Sequence, residues 1–149
     1  MALKNMSNED GVPSRSLDMP MPTQAEVDEL LAFLPVFSAP EYEPVRQWHG
    51  GPAGKPQSLT PFPEYDDAVE AFIDAASKDC WKDRFYVSSG ASRMLEEDGR
   101  IQGASLANIK SMLTFCVRGE RFCDGHVGDI ISKGYVTRIL ERLAEITKS

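Results

Sequence analysis

All ten prolines of this chain fall within its first 63 residues, and none occurs in residues 64–149. Proline fixes φ, lacks an N–H and disfavours helical backbone in the residue before it, so it breaks helix interiors. The second part of the chain is therefore free to run as continuous helix, while the first part is punctuated. The expected fold is all-α, or mostly α: a compact orthogonal domain of five or six helices carrying a long Pro/Gly-rich loop.

Within that frame the chain divides at its start. Residues 1–22 carry few large apolar side chains and end in Met19-Pro20-Met21-Pro22, which reads as a disordered leader. Residues 23–149 read as one helical domain, long enough to bury a core. Thr23 and Glu26 have capping-box spacing, and Val27, Leu30, Leu31 and Leu34 follow at helical intervals before Pro35, where the first helix is expected to end. Residues 38–62 read as a loop, because Gly50, Gly51, Gly54 and five prolines preclude regular structure; Tyr42 and Trp48 are expected to pin it to the domain. A second helix is expected from about Pro63 to Lys78, acidic at its start, with Tyr65, Val69, Phe72, Ile73 and Ala76 as its apolar stripe. Trp81–Val87 is the only strand candidate. A short helix from Ser89 to Asp98 is expected to be capped by serine and stopped by Gly99.

The next helix, from Ser105 to about Val117, is apolar nearly all round, which places it at the centre of the domain. Two more follow, His126–Lys133 and Val136–Thr147, separated by Gly134. Met94–Ile101 and Ile130–Val136 echo one another: each reads as a helix end, a left-handed glycine and a β-branched residue folding back.

Charge excludes some functions. The chain carries a net charge of −7, which repels phosphate backbones and anionic lipid, so nucleic acid and membrane surfaces are disfavoured partners. The charge is uneven. Residues 64–99 hold four bases against ten acids, whereas residues 100–149 hold eight bases against five acids. An anionic ligand therefore fits the C-terminal third better than the rest. The polar, acidic start lacks the apolar core of a signal peptide, no apolar run reaches membrane-spanning length, and the expected location is cytoplasmic. Cys80, Cys116 and Cys123 are then expected as free thiols.

The densest mix of charge, thiol, imidazole and glycine is Arg118-Gly119-Glu120-Arg121-Phe122-Cys123-Asp124-Gly125-His126. Its functional reading takes Arg118, Glu120, Arg121, Asp124 and His126 as a binding site: two guanidiniums grip a carboxylate or phosphate while an acid steadies them. Its structural reading has Arg118 or Arg121 satisfy the last carbonyls of the buried helix, Asp124 cap the next one, Glu120 balance an arginine and Phe122 pack. The structural reading is the stronger. A zinc site of Cys116, Cys123 and His126 fits no common ligand spacing, and a Cys123–His126 nucleophile pair ranks lower still. No phosphate-binding loop, dinucleotide fingerprint, metalloprotease or nucleophile-elbow motif is present, and no cofactor is expected.

The run Leu113-Thr114-Phe115-Cys116-Val117-Arg118-Gly119-Glu120-Arg121-Phe122-Cys123-Asp124-Gly125-His126, followed by a helix, Gly134 and Leu140-Glu141-Arg142-Leu143, resembles a bacterial family of small proteins known only as a domain of unknown function. Pro61-Phe62-Pro63-Glu64-Tyr65, with Val69 and Phe72, is similar to an earlier block of that family. The resemblance covers about residues 24–147. It implies that the Arg118–His126 segment is characteristic of the family, for packing or for binding, and it implies no catalytic role. The preferred function is a non-catalytic binding or regulatory helical module, with a homodimer as one form. The first alternative is an enzyme or binding protein for a small anionic ligand. The second is a DNA-binding, helix-turn-helix-like protein using Lys133, Arg138 and Arg142.

Overall fold

A computed structural model describes residues 21–49, 62–97 and 99–148. The proposed leader lies outside the described residues apart from Met21 and Pro22, as does the Gly/Pro-rich run of residues 50–61. The fold is mostly helical, as the proline-free stretch requires, and it is compact.

Helix α1 (Gln24–Leu31) begins on the expected capping box: the Glu26 N–H donates to Thr23 Oγ1 and the Thr23 N–H to Glu26 Oε1. Pro35 does not end this helix. It sits in the first turn of a separate short helix, α2 (Leu34–Phe37), where a missing N–H costs nothing. Phe33, Phe37, Phe72 and Tyr42 then form an aromatic cluster with centroids 5.5–5.7 Å apart.

The expected loop 38–62 is partly regular. Strand β1 (Val45–His49) pairs antiparallel with β2 (Phe62–Tyr65), with Val45 opposite Tyr65, Trp48 opposite Pro63, and an irregularity between Val45 and Gln47. The expected helix start at Pro63 is thus strand instead. In a two-stranded ribbon both strands are edges, so proline is tolerated. Helix α3 (Asp67–Ala76) starts four residues later, capped by Asp66, which accepts from the Ala68 N–H.

Trp81–Val87 is not a strand. Asp79–Trp81 is a 3-10 helix, and turns follow it. The cause is Asp83, buried within an aromatic run. Its carboxylate accepts from Ser111 Oγ and from the Phe85 N–H, while its own N–H donates to Thr114 Oγ1 at 2.9 Å. Those bonds tie the segment to helix α5 (Leu106–Arg118) in place of a ladder. Helix α4 (Ala91–Glu96) begins on left-handed Gly90 rather than on serine, and Ser89 Oγ turns to Asp83.

Helix α5 is central: Ile109, Met112, Leu113 and Cys116 are fully buried. Helices α6 (His126–Ser132) and α7 (Tyr135–Thr147) complete the bundle, α7 packing against α1, α2, α5 and α6. The echoed capping solution is present only at Gly134, which directly follows the end of α6 at Lys133; α4 ends at Glu96 on extended Glu97, so Gly99 lies beyond that helix and does not stop it. Gly99 and Gly134 are left-handed, and Ile101 and Val136 after them are buried.

Candidate functional site

Between α5 and α6 the chain makes a 3-10 turn, Gly119–Arg121, and reverses through left-handed Gly125. The turn is closed by its own backbone, and at the end of α5 the Gly119 N–H donates to Phe115 O. Phe122 and Cys123 N–H groups donate to Gly119 O, and His126 N–H to Cys123 O. Among the described residues neither Arg118 nor Arg121 donates to a carbonyl of α5, so tightening of the chain replaces the expected arginine caps.

The cap of α6 comes from Glu120, not from Asp124. Glu120 Oε2 accepts from the Gly125 N–H at 2.9 Å, and Oε1 accepts from the Val127 N–H at 2.9 Å. Oε1 also accepts from the hydroxyl of Tyr65 at 2.8 Å, 55 residues earlier. Tyr65 Oη accepts in turn from the Gly128 N–H at 3.1 Å. With the His126 bond, every free N–H of the first turn of α6 has a partner, which is what a helix end inside a protein requires. The carboxylate also faces the positive end of the α6 dipole. Burial pushes the Tyr65 hydroxyl well above the usual tyrosine range, and Glu120 adds to that, so Tyr65 stays a neutral donor.

Two glycines make the approach feasible. A Cβ on Gly119 would lie 2.3 Å from the imidazole of His126, and one on Gly128 would lie 2.9 Å from the Tyr65 ring. Gly125 adds a third restriction, its φ of +91° placing any Cβ 2.6 Å from Trp48. Trp48 therefore pins the ribbon, as expected, although it is half exposed. Tyr42 does so too, donating to Asp66 at 2.8 Å. Arg46 reaches Glu64 at 3.3 Å and Asp67 at 3.2 Å, and His49 meets Glu64 at 2.8 Å. The His49 contact holds the Glu64 carboxyl below the usual range, and the Tyr42 hydroxyl does the same for Asp66.

His126 lies inward. Its ring meets Phe115 edge-on at 4.9 Å beneath Gly119, and its Nε2 is sealed from solvent without a partner. No hydrogen bond joins it to Cys123, whose Sγ sits 3.9 Å from Asp124 O. Cys116 is fully buried, and burial pushes its thiol up to about 12. Cys80 is also buried and is pushed up to about 11 for the same reason. Cys123 is exposed, and all three thiols are free. Among the described residues no group of three or more His, Cys, Asp or Glu side chains could hold a metal ion.

The expected site residues therefore divide. Glu120 and His126 face inward, while Arg118 is half-buried and Arg121 and Asp124 face out. Phe122 does not pack: it is 80% exposed. The turn separates two clefts. One, about 460 Å³, is mostly apolar and is lined by Tyr86, Val87, Ala91, Phe115, Phe122 and His126, with Cys123 at its edge. The other, about 360 Å³, is lined by Ser77, Lys82, Val117, Arg118 and Arg121, with Glu120 at one wall. Arg118 joins them, its guanidinium 5.9 Å from the ring of Tyr86. The sequence reading did not place Tyr65, Lys82 or Val87 at this site, because nothing local ties them to a turn thirty or more residues away.

The bases of the helix-turn-helix reading are engaged within the chain. Lys133 pairs with Asp129 at 3.0 Å, and Arg142 with Glu145 at 2.7 Å and with Ala104 O. Arg138 lies over the Tyr135 ring at 5.0 Å. The exposed positions of α7 are Glu141 and Glu145, a poor face for a phosphate backbone. Among the described residues no helix is long and apolar enough to cross a membrane.

A mostly helical domain built around a capped turn, with two clefts beside it, is the class that fold and site define. The chain belongs to a family of unknown function, DUF6508, matched over residues 22–149. No curated protein and no solved structure matches it.

Proposed function

We propose that this protein is a non-catalytic binding module of a bacterial cytosol, and that its contact surface is the outer side of the Arg118–Asp124 turn. The observation that carries this reading is the exposure of Phe122, 80%, and Val87, 75%, across one mostly apolar cleft. Large apolar side chains exposed together around a concavity mark interaction surfaces far more often than single scattered ones do. The acid and imidazole nearest to chemistry, Glu120 and His126, are occupied in holding the turn. A homodimer is one assembly that such a surface serves.

The test is site-specific photocrosslinking in the source cells. Benzoylphenylalanine at position 122 gives a discrete adduct, and the same group at exposed Glu141 gives none. Equal labelling at both positions, or none at 122, contradicts the reading.

A second reading, a binding site for a small anion, is favoured by Arg118 and Arg121. Neither has a carboxylate partner among the described residues, and both line the 360 Å³ cleft with Lys82. Isothermal titration with inorganic phosphate and with short dicarboxylates measures it. Saturable binding lost in Arg121→Ala supports it, and no heat of binding removes it.

A further inference from the structure

The two clefts differ in chemistry, and they adjoin. Phe122 and Val87 border the apolar one, whose floor includes Ala91 and Phe115. Lys82, Arg118 and Arg121 line the cationic one. Glu120, the acid in the lining of that cleft, is turned inward onto α6 and Tyr65, Asp79 pairs with Lys82 at 3.3 Å, and Asp124 is exposed on the turn. Arg118 and Arg121 are left with no acidic partner among the described residues, in a chain whose net charge is −7. The Arg118–Tyr86 contact, at 5.9 Å, is where one cleft passes into the other.

Resting on the binding-module reading, we infer that the occupant is an acidic segment of a partner protein carrying a bulky aliphatic or aromatic anchor. The anchor enters the apolar cleft beside Phe122, and the flanking carboxylates meet Arg121, Arg118 and Lys82. Charge complementarity selects this occupant. At physiological ionic strength charges screen one another beyond about 8 Å, so a short segment senses the local bases, not the acidic remainder of the surface. An extended polyanion or an anionic bilayer spans that remainder and is repelled by it. Arginine bonds carboxylates in pairs, and arginine and aromatic side chains are both enriched in protein interfaces. A small anion uses only the cationic cleft and leaves Phe122 and Val87 bare.

The test is selection of short random peptides displayed on phage against the full chain, followed by fluorescence anisotropy of the enriched peptides. The expected consensus is acidic, with at least one Leu, Ile, Phe or Trp. Arg121→Glu and Phe122→Ser each weaken binding by about tenfold or more, the loss expected of hot-spot contacts. Both residues are exposed, so melting temperatures stay at the wild-type value, which separates lost binding from lost fold. Peptides with Lys in place of Glu and Asp do not bind. A basic or neutral consensus, no enrichment over a Phe122→Ser bait, or preference for anionic phospholipid vesicles or duplex DNA overturns the inference. A discrete adduct at position 122 without acidic peptides discards this inference and leaves the binding module standing. Absence of both discards both.

Discussion

On the inner side of the Arg118–His126 turn, each group meets a particular neighbour. Gly119 makes room for His126, Glu120 caps α6 and holds Tyr65, and Gly125 lies under Trp48. On the outer side, Arg121, Phe122 and Asp124 have no such neighbour among the described residues, and Arg118 rests on the Tyr86 ring. One stretch of nine residues thus serves two purposes. Its inward half closes the fold by joining the last helices to the β-ribbon, and its outward half is surface that packing does not explain. A charged, glycine-rich run is therefore neither wholly a site nor wholly a turn. The two roles are separable by substitution.

The largest effect is expected at Glu120. Glu120→Ala strands the Gly125 and Val127 N–H groups and the Tyr65 hydroxyl, costing about 3 kcal/mol in urea unfolding, since bonds to a charged group are the strong ones. A loss below about 1 kcal/mol, typical of a simple exposed cap, would erase the contrast between the two sides. Next comes Gly119→Ala, which drives a methyl into the His126 ring and costs about 2 kcal/mol, the usual penalty of overpacking. Tyr65→Phe keeps the ring but removes the shared hydroxyl, for about 1 kcal/mol. In a double-mutant cycle it couples to Glu120→Ala, because the two groups share one hydrogen bond.

Acidification sharpens the comparison from the ribbon side. Glu64 and Asp66 titrate below the usual carboxylate range when folded, so they bind fewer protons folded than unfolded. Their stabilisation is whole above that range and is lost as pH falls through their depressed folded values. The melting temperature of the wild type should fall more steeply with acid than that of Glu64→Gln. Both groups are partly exposed, so solvent screening keeps the difference small. Smallest of all is Phe122→Ser, expected within about 0.5 kcal/mol of wild type, as for a surface position. A larger loss would place Phe122 with the inner side.

Much of this architecture was legible in the residues. The Thr23–Glu26 box, the all-round apolar α5 and Gly134 between the last two helices are local signals, and each appears where its physics puts it. The β-ribbon was not legible, because Pro63 reads as a helix start and the prolines and glycines before it as loop unless one knows that both strands are edges. Trp81–Val87 misled by its aromatic, β-branched content, since buried Asp83 bonds to α5 and overrides that preference. At the turn, Asp124 was the expected cap, yet the N-cap position falls on Gly125 and Glu120 supplies the cap from within the preceding turn, bonded to Tyr65 far away in sequence. A partner at that separation leaves no trace in spacing, so the segment could be located but not divided into its two halves.

Native-state amide exchange of Gly125, Val127 and Gly128, measured in wild type and in Glu120→Ala, tests that division most directly. Three protected amides are expected in the wild type. In the variant, Gly125 and Val127 lose protection selectively, and the centre of α5 keeps its own. Free exchange of those amides in the wild type, or unchanged protection without the carboxylate, would contradict that division.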